Sequence, residues 1–181
     1  PKSYRDLRKP EWKGKLGIES EDFDWFAQVV AAMGEAHGLQ LFREIVAANG
    51  ISVRKGHNLL TNLVAAGEVP LALTVYGFLA EQAKRKGAPI DWFVIPPAVA
   101  RITAEGLARN APHPNAALLF FDFLIGEGQQ LLASRQFVTV TRKIETPVAR
   151  ESLKLIDSAA MLDHARKWQD LYQKTIIGAS R

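Results

Sequence analysis

Along the chain, apolar positions switch repeatedly between a two-residue and a 3.6-residue period, which predicts an α/β fold. Ser3 with Asp6 predicts a helix-capping pair, and Pro10 to Gly14 a turn leading into a strand over Lys15 to Glu19. Phe23, Trp25, Phe26, Val29 and Val30 then recur at helical spacing, with Ser20 placed to cap the helix and Gly34 to interrupt it. A second helix is predicted from Leu39 to Ala48, stopped by Asn49-Gly50. Next come a strand over Ile51 to Val53 and a helix over Gly56 to Ala66. Val69 to Val75 lacks polar alternation until Thr74, as expected of a strand covered on both faces, and Tyr76 to Lys86 is predicted helical.

A further buried strand is predicted over Ile90 to Ile95, stopped by Pro96-Pro97. Two adjacent prolines cannot donate to a ladder, so a lobe crossing or hinge is expected there. Beyond it the pattern predicts an extended piece near Glu105 to Arg109 and a turn over Asn110 to Pro114. A helix over Pro114 to Ile125 is broken by Gly126 and Gly128, and another helical turn runs through Ala133. The tail predicts an irregular stretch over residues 139–147 and a last helix over Ala159 to Lys174.

Composition narrows the classes. The 181 residues are 48% apolar and 23% charged, an ordinary globular balance, and the net charge of +4 permits an anionic partner without demanding one. The absence of cysteine excludes disulfides, thiolate zinc sites and cysteine nucleophiles. The apolar run Ala116 to Phe121 ends at Asp122, too short to span a bilayer. The Pro-Lys-Ser start, without Met or an export leader, reads as that of a processed product or excised piece. Basic residues cluster near the N-terminus and at Lys84 to Lys86. Acidic residues interleave the first cluster, so no nucleic-acid partner is expected.

Chemistry concentrates at three predicted strand-to-helix junctions. In an open α/β sheet, ligands lie beyond the carboxyl ends of strands, where helix N-termini and loop side chains converge. The first junction offers Ser20, Asp22, Asp24 and Trp25 as ligand-binding candidates, the second Arg54, His57 and Asn58, and the third Thr74 and Tyr76. Each also has a structural reading: first-turn acids favour the helix dipole, loop cations are solvated, and the aromatics serve as core. The coincidence of the three junctions is the signal. No G-x-S-x-G elbow, P-loop, G-x-G-x-x-G or H-E-x-x-H is present, and His37, His57, His113 and His164 lack ligand spacing. No enzymatic activity or resident cofactor is therefore expected.

Ser3-Tyr4-Arg5-Asp6-Leu7 with Pro10-Glu11-Trp12-Lys13-Gly14, Leu63 to Pro70, and Asn110-Ala111-Pro112-His113-Pro114-Asn115-Ala116-Ala117 with Phe121 to Leu124 and Gly128-Gln129 together form a recognisable series. From about Ser3 to Val140 the chain resembles family 1 extracellular solute-binding proteins, the ferric-iron-type periplasmic components of ABC importers. The resemblance implies the second lobe of a type 2 periplasmic binding protein, an α/β fold with a mixed sheet flanked by helices and followed by C-terminal helices. Residues 1–97 would form the ligand-binding lobe. Residues 98–181 would be a crossover segment and helices that pack partly on a first lobe preceding this C-terminal portion. It also implies a periplasmic location, an ABC permease partner in the membrane, and a metal ion or small organic anion as transported solute. Iron-binding members carry a tyrosine pair after the strand corresponding to Val69 to Val75, where this chain has Gly77 and Phe78, with Tyr76 one position earlier. Asp24, His57 and Tyr76 are thus the candidates for a different hard-metal site, with Arg54, His57, Asn58 and Tyr76 as the alternative set for an organic anion. The competing expectation is a stand-alone α/β interaction module, or a homodimer formed through an uncovered inter-lobe face.

Overall fold

The computed structural model describes residues 1–145 and 153–180. A 3-10 turn over Tyr4–Arg8 opens the chain, and its predicted capping pair is present, with Asp6 accepting from the Ser3 backbone N–H at 2.9 Å and the Ser3 hydroxyl at 3.2 Å. Strand β1 (Leu16–Glu19) follows, then α1 (Phe23–Met33) and α2 (Glu35–Asn49), separated at Gly34 as the pattern predicts. Asp22 rather than Ser20 takes the N-cap position of α1. Next are β2 (Ser52–Arg54), α3 (His57–Ala65), β3 (Leu71–Ala72) and α4 (Gly77–Arg85).

The three strands form one sheet in the order β2-β1-β3. It is parallel throughout, with Gly17 opposite Ser52 on one side and Ala72 on the other. Parallel pairing is what the intervening helices allow: α1 and α2 cross from β1 to its neighbour β2, and α3 carries the chain from β2 past β1 to β3 on the other side. Ladders among the described residues are all parallel, a narrower arrangement than the mixed sheet expected. β1 is central and buried along its whole length. Gly17 is needed there because a Cβ would lie 2.5 Å from Val69 Cγ1 and 3.1 Å from Leu60 Cδ1.

The core lies between this sheet and α1 and α2. Leu7, Leu16, Ile18, Phe26, Phe42 and Ile45 are all fully buried in it, and Phe26 meets Phe42 edge-on at 5.1 Å. Burial of each such side chain is worth about 1.5–3 kcal/mol. The C-terminal helix α7 (Ser158–Tyr172) closes the same core, capped by Asp157 accepting from the Ala159 and Ala160 backbone N–H groups at 3.0 Å. Its Trp168 and Tyr172 pack on Phe26, and a π-helical turn over Gln173–Ile177 buries Ile176.

The second half departs more from expectation. Residues 90–95 form no strand, and Asp91, Phe93 and Val94 are exposed. The strand in this region is β4 (Ala98–Ala100), directly after the cis Pro96-Pro97 bond, and it pairs in parallel with β5 (Leu153–Leu155). Near 105–109, where an extended piece is expected, the chain carries no helix or strand, and a turn begins at residue 109. α5 (Pro114–Ile125) and α6 (Gly128–Ser134) stand where predicted. The irregular stretch is seen to residue 145, and its last two positions lie outside the described residues. Among the described residues no single helix is long and apolar enough to cross a membrane. α5 and α6 are so only as a pair bent by 55°.

Candidate functional site

The carboxyl ends of β1 and β2 and the loop after β3 open onto a cleft of about 470 Å³. Its walls are Glu19, Glu21, Asp22, Phe23 and Asp24 from the first junction and Lys55, Gly56 and His57 from the second. Tyr76 comes from the third, and Arg101 from the end of β4. The three junctions thus meet on one rim, as parallel topology dictates.

Glu19 is the knot that holds the rim together, and all its polar groups are engaged. Its backbone N–H donates to Thr74 Oγ1 at 3.0 Å, which ties the first junction to the third. Its backbone carbonyl accepts from the Tyr172 hydroxyl, which ties it to α7. Its buried carboxylate accepts from the Gly56 N–H at 2.9 Å, the Ser20 hydroxyl at 3.2 Å and the Glu21 N–H at 2.5 Å. Burial pushes the Tyr172 phenol well above its ordinary pKa, with the nearby acids adding to the effect, so it stays a hydrogen-bond donor.

Above this knot lies a charged cluster. His57 Nε2 is 3.3 Å from Asp22 Oδ1, and its ring lies 3.9 Å from that of Tyr76. Burial opposes charging of His57, but the Asp22 hydrogen bond and charge, the Glu19 charge and the Thr74 backbone together raise its pKa. Arg101 donates from Nε to Asp24 Oδ2 at 2.8 Å and from Nη2 to Asp24 Oδ1 at 2.6 Å, a bidentate pair. Nη2 also reaches Asp22 Oδ1 at 3.2 Å, and Nη1 donates to the Tyr76 hydroxyl at 2.5 Å. Burial raises the Tyr76 pKa, and Arg101 offsets this only in part against Asp22 and Asp24, so the phenol keeps its proton. Asp22 Oδ2 is buried without a hydrogen-bond partner. Stacked contacts continue outward from Tyr76 to Phe78 at 5.5 Å and from Phe78 to Phe137 at 4.2 Å.

Of the residues expected at the site, Asp22, Asp24, His57 and Tyr76 line the cleft, while Ser20 and Thr74 brace it through Glu19. Trp25 does not face the cleft: it packs edge-on against Tyr4 and Phe42 at 5.9 Å. Arg54 is exposed, donating to the Val53 carbonyl, and Asn58 is exposed on α3 away from the cleft lining. A helical step of 100° separates Asn58 from His57, which is why adjacent residues diverge. The proposed metal trio also changes. Asp24 and Tyr76 are both engaged by Arg101, and the ligand atoms that lie within 4.8 Å of one another belong to Glu19, Asp22 and His57. Arg101 is the main omission from the sequence reading, and its only signal was being the first cation after Pro96-Pro97.

The chain is 25% identical over 142 residues to an Fe(3+)-binding periplasmic protein of Serratia marcescens, covering 73% of this chain and 42% of that protein. Among solved structures it is similar to the periplasmic binding protein P5PA, with a TM-score of 0.71 at 20% identity over 97% of this chain and 60% of that one. Iron-bound HitA from Pseudomonas aeruginosa superimposes with a TM-score of 0.60 at 19% identity, over 97% of this chain and 61% of that one. A Bordetella ferric binding protein gives 0.61 at 20% identity, over 99% and 63%. The fold is therefore that of periplasmic binding proteins, and the chain spans less than two thirds of the length of each of these proteins. The family model for bacterial extracellular solute-binding proteins matches residues 1–171, and the chain belongs to that family.

Proposed function

We propose that this chain supplies one wall of the ligand cleft in the substrate-binding component of an ABC importer. The observation that carries this is the meeting of three βα junctions and Arg101 on one charged rim. The solute is a metal ion or a small organic anion. The relatives' names, Fe(3+)-binding periplasmic protein, iron-bound HitA and ferric binding protein, support the first class. The second class rests on Arg101, Lys55 and the His57 ring as the cleft's positive groups, each already paired with a carboxylate of the rim that an anion would have to replace. Residues 1–97 form the ligand-binding lobe, which α7 completes and to which Arg101 contributes from the crossover segment, while α5 and α6 carry the exposed apolar face that meets the other lobe. Capture works by lobe closure: contacts made only in the shut state shift the population toward it, and a membrane permease on the periplasmic side reads the difference. No bond is made or broken.

The test is a thermal-shift and calorimetric screen of the full-length protein against ferric salts and small organic anions. A solute at 100 times its Kd stabilises by about 2.7 kcal/mol. His57→Ala and Tyr76→Phe should each reduce that shift, and a shift untouched by both would refute the assignment. A second reading, an interaction module or homodimer, draws on the exposed face of α5 and α6, where Leu118, Leu119, Phe120, Phe123 and Leu131 lie open. Sedimentation showing self-association of the full-length protein would favour it.

A further inference from the structure

Arg101 engages the hard oxygen donors on the outer side of the cleft. Its guanidinium touches both oxygens of Asp24, Oδ1 of Asp22 and the hydroxyl of Tyr76. Those atoms are three carboxylate oxygens and a phenol oxygen, the hard donors that a metal ion would recruit from this rim. Asp22 Oδ1 is shared further with His57, so Asp22 Oδ2 is the one buried oxygen of this acidic pair left without a partner. The cleft carries four carboxylates, from Glu19, Glu21, Asp22 and Asp24, against Lys55 and Arg101 as fixed cations. Without Arg101 the excess of negative charge would be larger by one.

We propose that Arg101 is a specificity-determining residue, an internal cation that bare metal ions and small amines must displace before Asp22, Asp24 and Tyr76 become available to them. Three features support this. The planar fork matches a carboxylate bidentately, a geometry that a freely diffusing ammonium cannot reproduce. Its tether gives it an effective concentration of roughly millimolar or more at the rim, so competing cations work against an intramolecular partner. The strand that presents it is fixed, with the Ala100 carbonyl accepting from the Ile156 N–H at 3.0 Å, yet the side chain is 39% exposed and has a route outward. Displacement therefore needs a rotamer change and no movement of β4. A solute that leaves Arg101 in place keeps the rim intact, and one that evicts it meets the full acidic cluster. This role rests on the cleft being the solute site, as proposed above.

Terbium(III) chloride is the probe. Calorimetric titration of the full-length protein should give a Kd at least about tenfold lower for Arg101→Met than for the unsubstituted protein, tenfold being ~1.4 kcal/mol. Adding Asp24→Asn to Arg101→Met should cancel the gain, and millimolar methylguanidinium should compete with terbium in the Arg101→Met protein. Equal or weaker binding by a folded Arg101→Met protein would overturn the proposal. If that variant does not fold, Arg101→Gln takes its place, and the unsubstituted protein gives an independent reading. The Arg101 Nε–H resonance must shift or vanish as lanthanum saturates the cleft, and an unmoved signal refutes the role. No binding of ferric salts or small organic anions alongside an intact terbium gain would refute the transport reading and with it the specificity role, whereas binding of either without a terbium gain would refute the role of Arg101 alone.

Discussion

Glu19→Gln isolates the knot beneath the cleft with a change of almost no volume. The carboxylate accepts from three donors that approach both of its oxygens, Gly56 N–H and Ser20 Oγ at one and Glu21 N–H at the other. A glutamine has one oxygen, so whichever way the amide turns, an NH₂ group faces a backbone donor. Losing one hydrogen bond to a charged group costs about 1.5–3 kcal/mol, and the remaining bonds weaken to the neutral range. Relief from burying a carboxylate offsets part of this. The net expectation is a loss of about 1–3 kcal/mol, or roughly 3–10 °C in Tm for a domain of this size. Urea melts followed by circular dichroism would read it as a fall in midpoint at constant m-value. A Glu19→Gln protein within about 0.5 kcal/mol of the parent would mean that these contacts hold little, and that the junctions are positioned by packing alone.

Other consequences are equally open to measurement. Because the His57 pKa is raised in the fold, its ion pair with Asp22 contributes stability below the unfolded value of 6.5. That stability is lost as pH rises through the folded value, and Asp22→Asn should remove the dependence; a ring titrating at or below 6.5 by NMR would contradict this. Gly38→Ala should destabilise by about 1–3 kcal/mol despite the better helix propensity of alanine. A Cβ there would lie 2.8 Å from Val30 Cα, and a neutral or stabilising result in a thermal melt would show that α1 and α2 can move apart. Tyr172→Phe should cost about 1–2 kcal/mol by orphaning the Glu19 carbonyl, and an unchanged melt would exclude a structural role for that bond.

The first half of the fold was legible because local signals agree with tertiary structure. The strand pattern of β1, the helical spacing of α1 and the Gly34 break each point the same way, and the structure follows them, as it does later at the Pro114 start of α5. The failures have a common cause in pairing that a local pattern cannot express. Ile90 to Ile95 carries the residues of a strand, but no neighbour pairs with it among the described residues. Ala98 to Ala100 looks unremarkable and is made a strand by Leu153 to Leu155, more than fifty residues away. Within Val69 to Val75, only Leu71 and Ala72 form ladder pairs with β1, Leu73 adds a single bond from its N–H to the Gly17 carbonyl at 2.8 Å, and Thr74 spends its hydroxyl on Glu19.

At the cleft, Asp22, Asp24, His57 and Tyr76 could be read in advance because strand ends of a parallel sheet converge whatever the details. Trp25 could not be placed, since its junction position says nothing of which way α1 turns it. Arg101 comes to Asp24 from 77 residues away through the crossing after Pro96-Pro97, and only the folded path reveals it. The basic character of that residue was visible, whereas its destination was not.

Mapping backbone amide shifts of the full-length protein during titration with its solute tests the central claim most directly. The largest changes should fall on Glu21 to Asp24, Lys55 to His57, Tyr76 and Arg101. Changes confined to the exposed face of α5 and α6, with those four segments silent, would contradict a solute site at the βα junctions.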